Sequence, residues 1–263
     1  MSRTLLIDAD IFAYAAASGT EKVFYFNGRD SDPAVDENLA AGLEVAERDI
    51  EAVANKLQAT KVIVCLTDDV KDDGTIVNFR CDVYPPYKHH RQSTRRPSTL
   101  KAIKEFYSKR YETYERPTLE ADDCMGILST HKTLVPGEKI IVSGDKDMQT
   151  VPGLLFNPKK DKAVRRISEL EADRYFMQQT ITGDTTDGYP GCRGAGPKSP
   201  YVTGLNLDRN LAEMWTTVCA AFKSKGFTPE DALVQARCAR ILRASDWDFA
   251  GRKPRLWSPP VLR

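Results

Sequence analysis

The stretch TLLID, residues 4–8, is a short apolar run that ends in an aspartate. The same pattern returns in KVIVCLTD, residues 61–68, and in KIIVSGD, residues 139–145. Continuous rather than alternating apolar character is typical of strands that are covered on both faces, as in a parallel sheet. The three runs therefore predict buried strands of one such sheet.

Segments with helical spacing separate these runs. Asp32-Pro33 has the form of a cap followed by a first-turn proline, and apolar residues recur at spacings of four and three from Leu39 to Leu57. Two further helices are predicted over 98–111 and 120–131. The alternation of strands and helices predicts an α/β fold with a doubly wound, mainly parallel sheet.

Beyond residue 167 the pattern becomes mainly helical, and Ser168 with Glu171 has the spacing of a capping box. The predicted elements are a helix over 168–182, a Gly- and Pro-rich turn over 183–200, helices over 210–225 and 229–242, and an irregular tail over 252–263. We therefore divide the chain into an α/β catalytic core, residues 1–167, and a helical extension, residues 168–263, packed on that core.

The composition is that of a globular protein, with 41% hydrophobic and 29% charged residues among 263. No apolar run approaches the roughly 20 residues that a membrane span needs. The apolar run at the start is too short for a signal peptide. We therefore expect no membrane partner and a cytoplasmic location.

Cysteine and histidine are not arranged for catalysis. The six cysteines contain no CxxC pair, which argues against a zinc ribbon or a disulfide scaffold. The three histidines are His89, His90 and His131, and the adjacent pair projects in different directions. This argues against a His-ligated metal and against a Ser-His-Asp triad.

Basic residues are concentrated although the net charge is only +1. Residues 80–116 contain ten Lys or Arg against four Asp or Glu, and residues 159–166 contain five against one. Such segregation suits a protein with one face that meets phosphates. A solvated surface with fluctuating charge is the alternative.

Acidic residues follow each of the three predicted strands, as Asp8, Asp68 and Asp145. The carboxyl ends of parallel strands meet at one edge of a sheet, so these side chains should converge. Any one of them alone would more often cap the next helix. The other acids of the pattern are Glu120, Asp122 and Asp123 at a predicted helix start, Asp147 beside Asp145, and Asp184 and Asp187 in the Gly-rich turn.

Nine converging carboxylates repel one another unless cations neutralise them. Oxygen ligands without His or Cys favour Mg²⁺ or Mn²⁺ over zinc. Two such ions can activate a water and stabilise the leaving oxygen in phosphodiester hydrolysis. The acids therefore predict a two-metal site for Mg²⁺ or Mn²⁺.

Motifs in a fixed order resemble the flap endonuclease/5′→3′ exonuclease family. They are LIDAD over 6–10, FR over 79–80, YKxxR over 87–91, EADD over 120–123, SGDKD over 143–147, and GDxxD over 183–187 followed by GxxGxG over 191–196. QTIxGDxTDGY over 179–189 and ARILR over 239–243 are most similar to the T7-type bacteriophage exonucleases within that family.

The resemblance implies a PIN-like fold and assigns the acids to two ions. Around the first ion it places Asp8, Asp68, Glu120, Asp122 and Asp123, and around the second Asp145, Asp147, Asp184 and Asp187. We choose Asp68 over Asp69 because Asp68 directly follows the strand.

The resemblance also implies contacts with the substrate. Lys88 and Arg91 match a basic pair at the scissile phosphate, where they would stabilise developing negative charge. The Gly-rich turn matches a helix–two-turn–helix motif that grips duplex backbone and holds a K⁺ ion. The residues expected to contact DNA are Arg80, Tyr87, Gly191, Gly194, Gly196 and Lys198.

Two departures from the family shape the expected activity. Gly188 stands where the family often has Asn, and the short stretch between Lys88 and Ser98 leaves little chain for an arch over single-stranded flaps. The resemblance therefore implies a monomeric 5′→3′ exonuclease acting on duplex DNA and on RNA–DNA hybrids. It would remove primers and degrade host DNA beside replication proteins, in the host cytoplasm if phage-encoded. The alternatives are a PIN-like RNase, a flap endonuclease, and a non-catalytic DNA-junction binding protein.

Overall fold

The computed structural model describes residues 2–25, 34–68, 77–207 and 209–260, without the side chains of residues 92 and 93. The strands in these ranges are β1 (Arg3–Asp8), β2 (Glu21–Phe24), β3 (Ala34–Glu37), β4 (Lys61–Cys65), β5 (Glu112–Tyr114), β6 (Glu138–Val142), β7 (Gly153–Phe156), β8 (Arg165–Ile167), β9 (Trp247–Asp248) and β10 (Lys253–Pro254). The helices are α1 (Ala9–Gly19), α2 (Leu39–Lys56), α3 (Phe79–Val83), α4 (Leu100–Arg110), α5 (Ala121–Thr130), α6 (Glu169–Thr182), α7 (Pro200–Thr203), α8 (Leu211–Ser224) and α9 (Pro229–Ala239).

Six of the strands form the central sheet, in the order β5-β4-β1-β6-β7-β8. All neighbouring pairs are parallel except β7 with β8. The three strands predicted from apolar runs are β1, β4 and β6, and they lie side by side. The mainly parallel α/β fold is thereby confirmed.

Helices cover both faces of this sheet because successive residues of a strand point to opposite sides. Leu5 and Ile7 of β1 pack with Ile103 of α4 in one buried cluster. Leu6, between them, packs with Ile127 of α5 in the other. The sheet is therefore doubly wound, as predicted.

Helix α2 begins later than its sequence pattern suggested. The Asn38 side chain caps it by accepting a hydrogen bond from the amide of Ala41 at 3.0 Å, and the helix starts at Leu39. Residues 34–37 form the short strand β3, and Asp32-Pro33 lies outside the described residues. In the described parts of the chain, no helix is long and apolar enough to cross a membrane.

The C-terminal region has its own helical cluster and then returns to the sheet. Phe176, Val218 and Ala236 bring α6, α8 and α9 together in this cluster. Ile241 and Trp247 instead join the cluster beneath the sheet. Ile241 and Trp247 thus connect the C-terminal region to the core cluster. The division of the chain at residues 167/168 stays a prediction.

Gly126 of α5 allows that return. A Cβ at Gly126 would lie 2.2 Å from the carbonyl oxygen of Leu242, so only glycine admits the close approach. The helix predicted to run to Leu242 ends at Ala239, since the amide of Leu242 donates to Asp123 at 3.0 Å instead of to a helical carbonyl.

A buried ion pair joins α3, α5 and the end of α9. The guanidinium of Arg80, 1% exposed, donates to both oxygens of Asp123 at 2.7 and 2.8 Å. It also donates to the carbonyl oxygens of Cys238 and Arg240, at 3.0 and 2.6 Å. Burial alone would lower the pKa of Arg80, but the charge of Asp123 holds it well above the usual value. Arg80 is therefore a charged link between three separate segments.

The variant Arg80→Met should destabilise the protein by about 3–5 kcal/mol, because it leaves Asp123 buried and unpaired. Urea denaturation followed by circular dichroism measures this loss. Adding Asp123→Asn should recover part of it by removing the stranded charge.

The matched control is Arg48→Met. Arg48 forms an exposed pair with Asp49 at 2.9 Å, so its loss should change stability by no more than about 1 kcal/mol. Equal losses in the two single variants would contradict a structural role for the buried pair.

Candidate active site

The carboxyl edge of the sheet brings Asp8 and Asp145 together through a shared serine. Asp8 ends β1 and caps α1 by accepting from the amide of Ile11 at 3.2 Å. The hydroxyl of Ser143, just beyond β6, donates to Asp8 at 2.6 Å and accepts from the amide of Asp145 at 3.0 Å. Sequence reasoning missed Ser143, although it stands between the strand and the aspartate in SGD.

Like charges act on one another at this edge. Burial raises the pKa of Asp8 to about 7, and the charges of Asp10 and Asp145 add to the rise. Burial also raises the pKa of Asp122 well above its usual value, with further contributions from Asp8 and Asp145. The structure thus groups Asp8, Asp122 and Asp145 as mutually repelling carboxylates.

Glu120 is a buried acid whose pKa is lowered instead of raised. It accepts hydrogen bonds from Lys88, from the hydroxyl of Tyr87 at 3.1 Å and from Arg80 at 3.3 Å. Burial alone would raise the pKa of Glu120, but the charges of Lys88 and Arg80 lower it to about 2. Glu120 is therefore ionised at any ordinary pH.

Lys88 and Arg91, the predicted basic pair, both lie beside the carboxylate of Asp187. The backbone amide of Lys88, at φ +53°, donates to the carbonyl of Asp187 at 2.8 Å, and its ammonium lies 3.5 Å from the Asp187 carboxylate. Arg91 donates to the same carboxylate at 2.9 Å, and its side chain is 37% exposed. Lys88 and Arg91 are thus both placed beside the acids, with Arg91 the one open to solvent.

A second acidic group has neighbours that the sequence did not reveal. Lys146 donates to Asp184 at 2.6 Å and lies 3.5 Å from Asp147. Gln179 of α6 donates to Asp147 at 2.5 Å. Burial and the charge of Asp145 raise the pKa of Asp147 to about 7, whereas Lys146 outweighs burial and lowers the pKa of Asp184. The position of Lys146 between two acids in DKD was the available signal that Lys146 contacts carboxylates. No feature of the sequence indicated that Gln179 reaches Asp147.

Asp68 stands apart from both groups. It is exposed, and its backbone pairs with Thr118 and Leu119. Within the described ranges its carboxylate makes no hydrogen bond or ion pair, and Asp69 lies outside them. Its charge acts instead on Glu115, whose pKa is raised mainly by burial.

Three predicted site residues use their polar side-chain groups to bond other residues of the protein. Both oxygens of Asp123 are occupied by Arg80 and by backbone amides, which leaves little for a metal ion. Arg80 and Tyr87 are buried, and the Tyr87 hydroxyl, with one proton to donate, lies 3.1 Å from a carboxylate oxygen of Glu120 and of Asp187. We therefore correct the expectation that Arg80 and Tyr87 contact DNA.

The Gly-rich turn contains glycines of two kinds. Gly191, at φ +62°, is buried, donates its amide to Gln235 at 2.8 Å, and would place a Cβ 2.2 Å from the amide nitrogen of Gly183. This packing corrects the expectation that Gly191 contacts phosphate. The exposed residues of the turn line an open depression of about 570 Å³: Gly194, Gly196 and Lys198, joined by Lys225 from the end of α8.

The donor set fits a hard divalent cation, although no three Asp, Glu, His or Cys side chains among the described residues form a ready-made metal site. The groups described above offer only carboxylate oxygens. Burial, with neighbouring negative charge, raises the pKa of Asp8, Asp122 and Asp147, so their ionised forms are unfavourable and a bound cation would stabilise them. This chemistry suits Mg²⁺ or Mn²⁺.

Sequence comparison finds phage and bacterial nucleases. The chain is 26% identical over 253 residues to an exonuclease of Escherichia phage T7, covering 84% of this chain and 82% of that protein. It is 30% identical over 156 residues to the flap endonuclease Xni of Shewanella oneidensis, covering 56% of this chain and 59% of that protein.

Solved structures of bacteriophage T5 proteins share the fold. One, co-crystallised with metal ions, has a TM-score of 0.61 at 15% identity and covers 91% of this chain and 89% of its own. Another is a flap endonuclease in a pseudo-enzyme-product complex with DNA and metal ions, with a TM-score of 0.57 at 14% identity and 90% coverage of both chains. At these identities the likeness shows the fold alone.

The family model for the 5′-3′ exonuclease N-terminal, resolvase-like domain matches residues 3–168. This match includes the whole central sheet and, at its carboxyl edge, Asp8, Asp122 and Asp145. Because it covers more than half of the chain together with that edge, the chain belongs to the 5′-3′ exonuclease family.

Proposed function

We propose that this nuclease is a Mg²⁺-dependent 5′→3′ exonuclease that hydrolyses phosphodiester bonds from the 5′ ends of duplex DNA and of RNA paired with DNA. The observation that carries the proposal is the group formed by Asp8, Asp122 and Asp145 at the sheet edge, where burial and the neighbouring charge of Asp145 raise the pKa of Asp8 and of Asp122. The names of the phage relatives, an exonuclease in T7 and an exodeoxyribonuclease in T3, support the same reaction.

The two acidic groups suggest how two ions would be held. Asp8, Asp122 and Asp145 would hold one ion, which moves Asp145 from the second ion to the first, and Asp147, Asp184 and Asp187 would hold the other. Glu120, whose carboxylate accepts from Lys88 and Arg80, would position Lys88 instead of binding an ion. When bound, Mg²⁺ would lower the pKa of the attacking water and stabilise the leaving oxygen. Asp68 follows β4 at the same edge and stays a proposed ligand on the strength of the resemblance. We do not include Asp123, because Arg80 occupies it.

Lys88 and Arg91 supply positive charge where a phosphate would meet the acids. Glu120 holds the Lys88 ammonium in place and keeps the pKa of Lys88 above its usual value, against the lowering by burial. A fixed cation stabilises charge that develops on phosphate oxygens without having to reorganise during the reaction. Arg91, which is more exposed, would contact the same phosphate from the solvent side.

The exposed part of the Gly-rich turn is the proposed duplex contact. Gly194 and Gly196 leave the backbone open beside the cations of Lys198 and Lys225. For the K⁺ ion that the resemblance implies, carbonyl oxygens are available at Arg193 and Gly194, to which no residue in the described ranges donates a hydrogen bond.

The chain between Lys88 and α4 favours exonuclease over flap endonuclease activity. It consists of a short 3₁₀ segment, His89–Ser93, and a few further residues before Leu100. We also propose, from the resemblance of the sequence motifs, roles in phage replication, primer removal and host DNA degradation, by a monomer in the host cytoplasm. These roles, and replication proteins as partners, are part of the proposal.

Digestion of a linear duplex labelled at one 5′ end, beside the same duplex labelled at the 3′ end, tests the reaction. We expect immediate release of the 5′ label with Mg²⁺, gradual shortening of the 3′-labelled strand, and no reaction in EDTA. An RNA–DNA hybrid should behave in the same way. Cleavage only at flaps would favour the flap endonuclease, cleavage only of RNA the PIN-like RNase, and binding without cleavage the junction-binding protein.

The variant Asp145→Asn should lower the cleavage rate by about 10³-fold, because it removes one charge from the metal-binding group. Duplex binding in EDTA, measured by fluorescence anisotropy, should remain. The control is Asp49→Asn, which removes an exposed acid on α2. Turnover retained in Asp145→Asn would remove Asp145 from the metal site.

In EDTA, stability should fall as pH rises from about 4 to 7. The pKa of Asp8 and that of Asp147 are raised to about 7, so in this range the folded state holds protons that the unfolded state has released. Glu120, with a pKa lowered to about 2, acts in the opposite direction only below about pH 4.5.

Thermal unfolding between pH 5 and 8, with EDTA and with Mg²⁺, measures this dependence. Mg²⁺ should raise the unfolding temperature more at pH 8 than at pH 5, because the ionised carboxylates then gain a cation. Asp8→Asn should make the EDTA curve less steep. Stability that rises with pH in EDTA would contradict the arrangement of acids described above.

A further inference from the structure

The turn that joins β7 to β8, residues 157–164, lies at the same sheet edge as the acidic groups. β7 runs parallel to β6, so both strands end at that edge. The amide of Ser143 donates to the carbonyl of Phe156 at 3.2 Å, and the side chain of Asn157 donates to the carbonyl of Gly144 at 3.2 Å. The turn is thereby bonded to the residue directly before Asp145.

This turn and the start of β8 carry a concentrated positive charge, which we call the basic turn. Its cations are all exposed: Lys159, Lys160, Lys162, Arg165 and Arg166. Its acid, Asp161, is already used, because its carboxylate accepts from the amide of Asn157 at 2.8 Å and from Arg165 at 3.1 Å. The remaining four cations make no ion pair with any residue that the structure describes.

The lack of internal partners separates these cations from the others near the acids. Lys88, Arg91 and Lys146 each pair with a carboxylate at the catalytic edge. The four cations of the basic turn form no ion pair within the described residues, and their mutual repulsion disfavours placing them together. An external anion bound by these cations would offset that repulsion.

The backbone of the turn is ordered by its own hydrogen bonds. Asn157 accepts from the amides of Lys159, Lys160 and Asp161, at 3.0, 3.2 and 2.9 Å. The cations therefore stand on a shaped loop, so less conformational entropy is lost when a ligand binds. The several unpaired charges suit a chain of phosphates better than one small anion.

We propose that the basic turn binds the phosphate backbone of the nucleic-acid substrate, as a contact additional to the Gly-rich turn. The inference rests on the proposed function, because it is the position beside Asp145 that makes the substrate the anion concerned. The contact is with phosphates, so it carries no preference for base sequence.

The test compares two double variants with the same change of charge. Lys160→Ala/Lys162→Ala alters the basic turn. Lys109→Ala/Lys132→Ala removes two exposed cations that also lack ion pairs within the described ranges. Lys109 lies in the last turn of α4 and Lys132 follows α5. Both helices precede the amino-terminal ends of sheet strands, so these lysines lie at the opposite edge.

Duplex DNA binding is measured by anisotropy against salt concentration, in EDTA so that no cleavage occurs. Each phosphate contact contributes about 0.9 to the slope of log K against log salt. Lys160→Ala/Lys162→Ala should reduce the slope by about 1.8. The opposite-edge variant should leave the slope unchanged, and Lys160→Arg/Lys162→Arg should retain it.

An unchanged slope in Lys160→Ala/Lys162→Ala would overturn the inference, and so would equal reductions in the two alanine variants, since both would then reflect net charge alone. Thermal unfolding confirms that each variant is folded. With Mg²⁺ and saturating enzyme, single-turnover cleavage should be the same in wild type and in the opposite-edge variant Lys109→Ala/Lys132→Ala. Failure of wild-type cleavage would contradict the proposed function, whereas normal cleavage with an unchanged slope would contradict only the basic turn.

Discussion

Repulsion between carboxylates at one edge of the sheet is the constraint around which this molecule is built. Parallel pairing sets β1 beside β6, and each strand delivers an aspartate to the same edge, Asp8 and Asp145. The packing of apolar residues on both faces supplies the free energy that holds these charges together. Folding thus creates an unfavourable concentration of charge, which the protein balances in different ways at different positions.

The balance is local, and it produces acids with unlike properties. Glu120 is held between Lys88 and Arg80 and stays ionised, whereas hydrogen bonds from Ser143 and Ile11 offset the burial of Asp8 only in part. Internal cations thus lower the pKa of particular acids. Other acids, such as Asp8, keep a raised pKa. Those acids are the places where a divalent ion gains most by binding.

The sequence predicted the sheet and its acidic edge because both follow from short-range patterns. A continuous apolar run that ends in aspartate specifies a buried strand and a carboxylate at its end, as in β1 and β6. The sequence could not predict that Arg80 would be paired internally, since its partners Asp123 and Cys238 are brought to it only by tertiary packing. The same reason hid Gln179, whose position on α6 gives no sign that it reaches Asp147.

The course of the chain through Gly126 and Leu242 has a consequence for synthesis on the ribosome. A nascent chain that ends at residue 167 already contains every strand of the sheet, but it lacks the carbonyl of Arg240 and the amide of Leu242 that complete the Arg80–Asp123 pair. Until that segment has been synthesised and has packed against α5, the buried hydrogen-bond network of Arg80 and Asp123 is incomplete. The fully hydrogen-bonded Arg80–Asp123 pair therefore forms only after the chain has been synthesised at least as far as Leu242.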